Sequence, residues 1–63
     1  MPWELYEVWV EDHTGHQELV NTTMSLKEAR EMAKESLGED VTIAQIYQEV
    51  NDGDFALIEE LTK

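Results

Sequence analysis

Two histidines, His13 and His16, stand beside Glu11 and Asp12, and two imidazoles with a carboxylate are the donor set that holds zinc. A third nitrogen or sulfur ligand is missing, the chain having no cysteine. Thr14-Gly15 between the histidines marks a turn, where solvated polar side chains are ordinary, so no metal is expected. Asn51-Asp52-Gly53-Asp54 opens like a calcium loop, but Phe55-Ala56-Leu57 follow and no bidentate glutamate closes it; the segment reads as a β-turn. Glu59-Glu60 and Asp52-Asp54 are paired carboxylates of the type used for acid and base work. Neighbours on a strand point to opposite faces, and so short a chain has little interior in which to shift a pKa. Neither Ser25 nor Ser36 is set beside a base, and each glycine has a turn or cap to serve. No enzymatic activity and no cofactor are expected.

The elements that must position these residues are clearly punctuated. Residues 3–11 are dense in aromatic and β-branched types, and His13-Thr14-Gly15-His16 turns the chain into a second strand over 18–23. The first loop fits either two residues or a longer form with a glycine bulge. Ser25-Leu26-Lys27-Glu28 spells a capping box, the serine hydroxyl accepting from the Glu28 N–H while the glutamate reaches back to the serine N–H. The helix is predicted over 26–37, with Leu26, Ala29, Met32, Ala33, Ser36 and Leu37 on one arc, Glu28, Glu31 and Glu35 opposite, and Gly38 in a left-handed cap. Strands over 41–50 and 55–61 follow, joined by Asp52-Gly53 as a type I′ turn.

The expected fold is therefore α+β, a single domain over residues 1–63 in the order ββαββ, with one helix on a four-stranded antiparallel sheet. The first strand is apolar on both sides and suits a central place, giving strand order 2-1-3-4. If Asp52 and Gly53 alone form the last turn, Val50 pairs with Phe55, Gln48 with Leu57, Ile46 with Glu59 and Ala44 with Leu61. Alternation then puts Ala44, Ile46, Val50, Phe55, Leu57 and Leu61 on one face, with Ala33 and Leu37 packed on Ile46 and Leu57, and sends Ile43, Tyr47 and Ile58 to the other. In the first strand Tyr6, Val8 and Val10 share one face, and Trp3, Leu5 and Trp9 share the opposite one with Glu7 and Glu11. The sequence does not decide which of these faces the helix covers. One short helix covers only one, so an apolar set is left over.

Charge narrows the partners. Fifteen Asp and Glu against four Lys and Arg leave a net charge of -11 on 63 residues, which repels nucleic acid and anionic membrane and steers the chain toward basic surfaces. No apolar run approaches the roughly 20 residues of a membrane span and no cationic, apolar leader is present; a cytoplasmic location is expected. Glu4, Glu7, Glu11, Glu18, Glu49, Glu59 and Glu60 fall on strands, where glutamate is a poor former and like charges repel across the ladder. A basic partner surface would relieve that cost, with the leftover aromatic face as anchor and the glutamates as rim. The expected contact residues are Trp3, Leu5, Glu7, Trp9, Glu11, Tyr47, Glu49, Ile58 and Glu60. Two other readings stay open: a DNA mimic blocking a nuclease or repressor with its carboxylates, and a self-associating structural protein that buries its aromatic face in a homodimer.

From Tyr6 to Val50 the chain has an aromatic first strand, a short hairpin, a helix opened by Met24-Ser25-Leu26-Lys27-Glu28-Ala29, and a strand after Gly38. In this it resembles the small acidic podophage inhibitors of host RNA polymerase, which are ββαβ proteins of similar length. It departs from them in adding the strand from Phe55 to Leu61 and in lacking arginines near its C-terminus. The resemblance implies a compact protein that binds and blocks a host nucleic-acid enzyme, and it assigns no individual contact residue.

Overall fold

The computed structural model describes residues 5–63, and Trp3, Glu4 and the start of the predicted first strand lie outside them. Strand β1 (Tyr6–Asp12) and strand β2 (Gln17–Thr23) form a hairpin, helix α1 (Leu26–Ser36) crosses over, and strands β3 (Val41–Asn51) and β4 (Asp54–Thr62) form a second hairpin. All pairings are antiparallel and the order is β2-β1-β3-β4, as the sequence predicts. The doubly apolar β1 lies inside the sheet beside β3.

The first loop takes the longer of its two forms. Gly15 has φ 91, its N–H bonds to Asp12 O at 3.0 Å, and Asp12 N–H bonds to His16 O at 3.0 Å. The left-handed glycine supplies the extra bend that a three-residue hairpin loop needs. At the second hairpin only Gly53 has positive φ, at 88, and no non-glycine residue does, so Asp52-Gly53 is not the predicted type I′ turn. A two-residue turn whose second residue alone is left-handed is poorly matched to the twist of its strands, and a bulge at the skipped Val50 takes up the mismatch.

Helix α1 starts at its predicted cap. Ser25 is extended, and its hydroxyl accepts from the Glu28 N–H at 3.3 Å. The return half of the capping box differs: Ser25 N–H donates to Thr23 Oγ1 (3.2 Å), whose hydroxyl donates to Glu28 Oε2 (3.1 Å). Thr23 thus relays the contact expected to run directly from glutamate to serine. The helix ends at Ser36, one residue short of prediction, and Gly38 is not left-handed. Leu37 turns extended and closes the helix without a glycine cap by donating its N–H to Lys34 O (3.3 Å), while Gly38 donates to Val41 O (2.9 Å) at the start of β3.

The helix lies on the Tyr6, Val8, Val10 side of the sheet. The core comprises Tyr6, Val8, Ala29, Ala33, Ala44 and Ile46, ringed by Val10, Leu26, Met32, Leu37 and Leu61. Ala29 and Ala33, one turn apart, are the helix positions that press closest, and their small side chains leave Val8 and Ile46 to fill the layer. Arg30 reaches β4, its Nε 3.1 Å from Glu59 Oε1.

The predicted pairing of β3 with β4 is corrected along half its length. Ile46 pairs with Glu59 and Ala44 with Leu61 as expected, but Tyr47 pairs with Leu57, Gln48 with Ala56 and Glu49 with Phe55. Val50 and Ile58 are each skipped, forming bulges that shift the intervening segment by one residue. Because side chains alternate, that shift carries Phe55 and Leu57 from the helix face to the opposite one. Leu57 is 47% exposed, and Leu37 therefore cannot pack on it as predicted; Ile46 remains in the core.

Candidate functional site: the outer face of the sheet

Opposed residues of an antiparallel pair share a face, so the registers spell out the surface that the helix leaves open. One row runs Leu19, Trp9, Gln45, Glu60; the next runs Thr22, Glu7, Tyr47, Leu57; a third runs Gln17, Glu11, Ile43, Thr62; and Glu49 faces Phe55. Glu49 N–H donates to Leu5 O at 2.9 Å, which sets Leu5 at the end of the Glu7 side of β1.

Of the predicted contact residues, the structure gathers Leu5, Glu7, Trp9, Glu11, Tyr47, Glu49 and Glu60 on this face. Trp3 lies outside the described residues. Ile58 is 41% exposed but is a bulge residue without a cross-strand partner, so the alternation that placed it beside Tyr47 does not apply to it. Leu19, Phe55 and Leu57 belong to the face and are absent from the sequence-based set. Their membership follows from bulges at Val20 and Ile58, which no local residue type announces; Ile43 was readable from alternation alone.

Trp9, Tyr47, Ile43 and Phe55 are half-buried, while Leu19 and Leu57 are exposed. The four glutamates among them are each held by a neutral donor. Trp9 Nε1–H donates to Glu7 Oε1 (3.0 Å), Gln17 Nε2 to Glu11 Oε1 (3.2 Å), Gln45 Nε2 to Glu60 Oε1 (3.3 Å), and the Gly53 N–H to Glu49 Oε2 (3.3 Å). These bonds fix the carboxylates without cancelling their charge. Gln45 Oε1 is buried within the face with no hydrogen-bond partner among the described residues.

The cations are elsewhere. Lys27, Arg30 and Lys34 lie on α1 and Lys63 ends the chain after β4, so no row of the outer face contains a lysine or arginine. On the helix three cations face three glutamates, Glu28, Glu31 and Glu35, and that surface is balanced. The outer face carries Glu7, Glu11, Glu49 and Glu60 unbalanced.

The remaining sequence candidates sit apart from this face. His13 and His16 are exposed in the first loop. Asp12 Oδ1 there accepts from Thr14 Oγ1 (2.6 Å), Thr14 N–H (2.9 Å) and His16 N–H (3.0 Å). The Thr14 hydroxyl bond, aided by the two backbone bonds and the nearby His16, holds the Asp12 carboxyl below its usual 3.8. Glu59 and Glu60 part to opposite faces, one to Arg30 and the other to Gln45. The described residues enclose no pocket and contain no group of three potential metal ligands. No described helix is long and apolar enough to cross a membrane. No family model matches this chain, and neither a curated protein nor a solved structure matches it.

Proposed function

We propose that the protein is a small acidic binding module that seats the outer face of its sheet on a basic surface of another protein. The observation that carries this reading is the segregation of charge: four fixed, unneutralised glutamates surround Trp9, Tyr47 and Leu57 on a face without a cation, while the described cations stand on the helix or at the C-terminus. An apolar centre with a charged rim is the layout of a protein interface, and the sign of the rim selects a basic partner. The resemblance in element order and helix opening adds the inhibitory role, a phage-type block of a host nucleic-acid enzyme such as RNA polymerase, acting in the cytoplasm by binding and without catalysis. The same charge opposes direct contact with nucleic acid or anionic membrane.

The alternatives fit the charge map less well. A DNA mimic built on the helix would use Glu28, Glu31 and Glu35, which Lys27, Arg30 and Lys34 balance. A homodimer through the outer face would oppose two sets of glutamates, and it would tighten as salt screens them.

The test is retention of a basic protein on the immobilised chain. Trp9→Ala, with its fold verified by circular dichroism, should lose about 2 kcal/mol of binding as a central aromatic anchor. Charge reversal at Glu7, Glu11 and Glu49 should slow association and flatten its salt dependence. Retention that survives both changes, yet is lost on reversing Glu28, Glu31 and Glu35, would move the contact to the helix. Salt-strengthened self-association in sedimentation, without partner binding, would favour the dimer.

A further inference from the structure

We infer that the outer face is built around an arginine of the partner, stacked on Trp9 and bonded to Glu7, and that it distinguishes arginine from lysine. This rests on the docking reading above and names the group that the face recognises. The indole edge of Trp9 is committed: its N–H donates to Glu7 Oε1 at 3.0 Å, so what the ring still offers a partner is its π surface. Trp9 is half-buried and holds a central row of the face between Leu19 and Gln45. A cation over an indole is attracted by the ring quadrupole, and tryptophan is the strongest such partner among side chains.

The anion needed beside that cation is already in place. The hydrogen bond that occupies the indole edge draws the Glu7 carboxylate to the ring, and Glu7 Oε2 has no partner among the described residues. Glu11 follows two residues beyond Trp9 on the same face, about 7 Å along the strand from it. A guanidinium is planar and weakly hydrated, so it can lie on the ring while its N–H groups donate in its own plane, parallel to the ring, to the free oxygen of a carboxylate beside the ring edge. An ammonium is a compact, strongly hydrated point charge and must give up more water to occupy the same place. The remaining fixed anions, Glu11, Glu49 and Glu60, then set the general preference for a basic surface, and Trp9 with Glu7 sets the identity of one residue on it.

The experiment titrates the full chain with two short amidated peptides that are identical except for arginine in one and lysine in the other, at low and moderate salt. Binding is followed by the indole N–H signal of Trp9, assigned with a Trp3→Phe variant. The arginine peptide should bind about tenfold more tightly, with the Trp9 signal moving most. Trp9→Leu should bring the two affinities together, and Glu7→Gln should narrow the gap while leaving the fold intact. Equal affinities for the two peptides, or a preference that survives Trp9→Leu, would overturn the arginine site and leave the acidic docking face standing. Failure of both peptides to bind even at low salt would overturn that face as well.

Discussion

Ile46 is fully buried under Ala29 and Ala33, whereas Leu57 is 47% exposed on the far side of the sheet, and truncating each to alanine separates the observed register from the unbulged one. Both changes delete three carbons, worth about 2.4 kcal/mol of transfer at about 0.8 kcal/mol per buried methylene. At Ile46 a cavity term adds to this, because the alanines above cannot reach into the space, and the total should be about 3 to 4 kcal/mol. At Leu57 about half the side chain is already in water and no cavity forms, leaving about 1 kcal/mol. A 63-residue domain has about 3 to 9 kcal/mol of stability in all, so Ile46→Ala takes from about a third of it at the upper end to all of it at the lower. Ile46→Val, at about 1 kcal/mol, supplies the measurable companion. Urea unfolding followed by far-ultraviolet circular dichroism is the assay; with a slope of about 1 kcal/mol per molar, each 1 kcal/mol moves the midpoint by about 1 M. If Leu57→Ala proves as costly as Ile46→Ala, Leu57 lies beneath the helix and the bulges at Val50 and Ile58 are not there.

Three further outcomes follow from local geometry. Ser25→Ala should cost about 1 kcal/mol by urea midpoint, and Thr23→Val should also destabilise, since it breaks the relay from Ser25 N–H to Glu28; a neutral Thr23→Val would return the contact to the direct capping box. Gly53→Ala should destabilise by about 1 kcal/mol because its φ of 88 strains any side chain, whereas Gly38→Ala, in open space and without positive φ, should be neutral or slightly stabilising; equal melting temperatures for the two variants would contradict the assigned turns. Asp12 should titrate below 3.8 by carboxyl NMR and move back up in Thr14→Val. Because its folded value is the depressed one, the loop's contribution is present above the usual carboxylate range and is lost as pH falls through the folded value, so the stability gap between wild type and Asp12→Asn should close on acidification.

What was legible in the sequence was whatever a residue type determines locally. Gly15 marked a turn, Ser25 placed the helix start, and alternation from Leu5 to Glu11 separated the two faces of β1 and hence most of the candidate site. The strand order followed from the double apolarity of that strand. What was hidden depended on counting across a bulge. Val20, Val50 and Ile58 are β-branched residues of the kind that strands favour, so nothing in their chemistry marks them as skipped, yet they decide that Leu19, Phe55 and Leu57 join Trp9. Gly38 misled for the opposite reason: it is the residue a helix terminus favours, but backbone bonds to Lys34 and Val41 made its special freedom unnecessary.

Two of the bulges fall on the strands where the sheet ends. β2 and β4 are its two edges, and each carries one, at Val20 and Ile58; on β2 the Asn21 side chain takes the Thr22 N–H at 2.8 Å. A flat edge would template another strand, and chains with apolar sheets can grow that way into fibrils. Here the interrupted edges oppose such growth, and Glu18 and Glu60 add like-charge repulsion to any strand of the same protein that approaches. Edges so interrupted oppose polymerisation of the chain with itself while its aromatic surface stays open, a condition that the proposed docking on a basic partner requires.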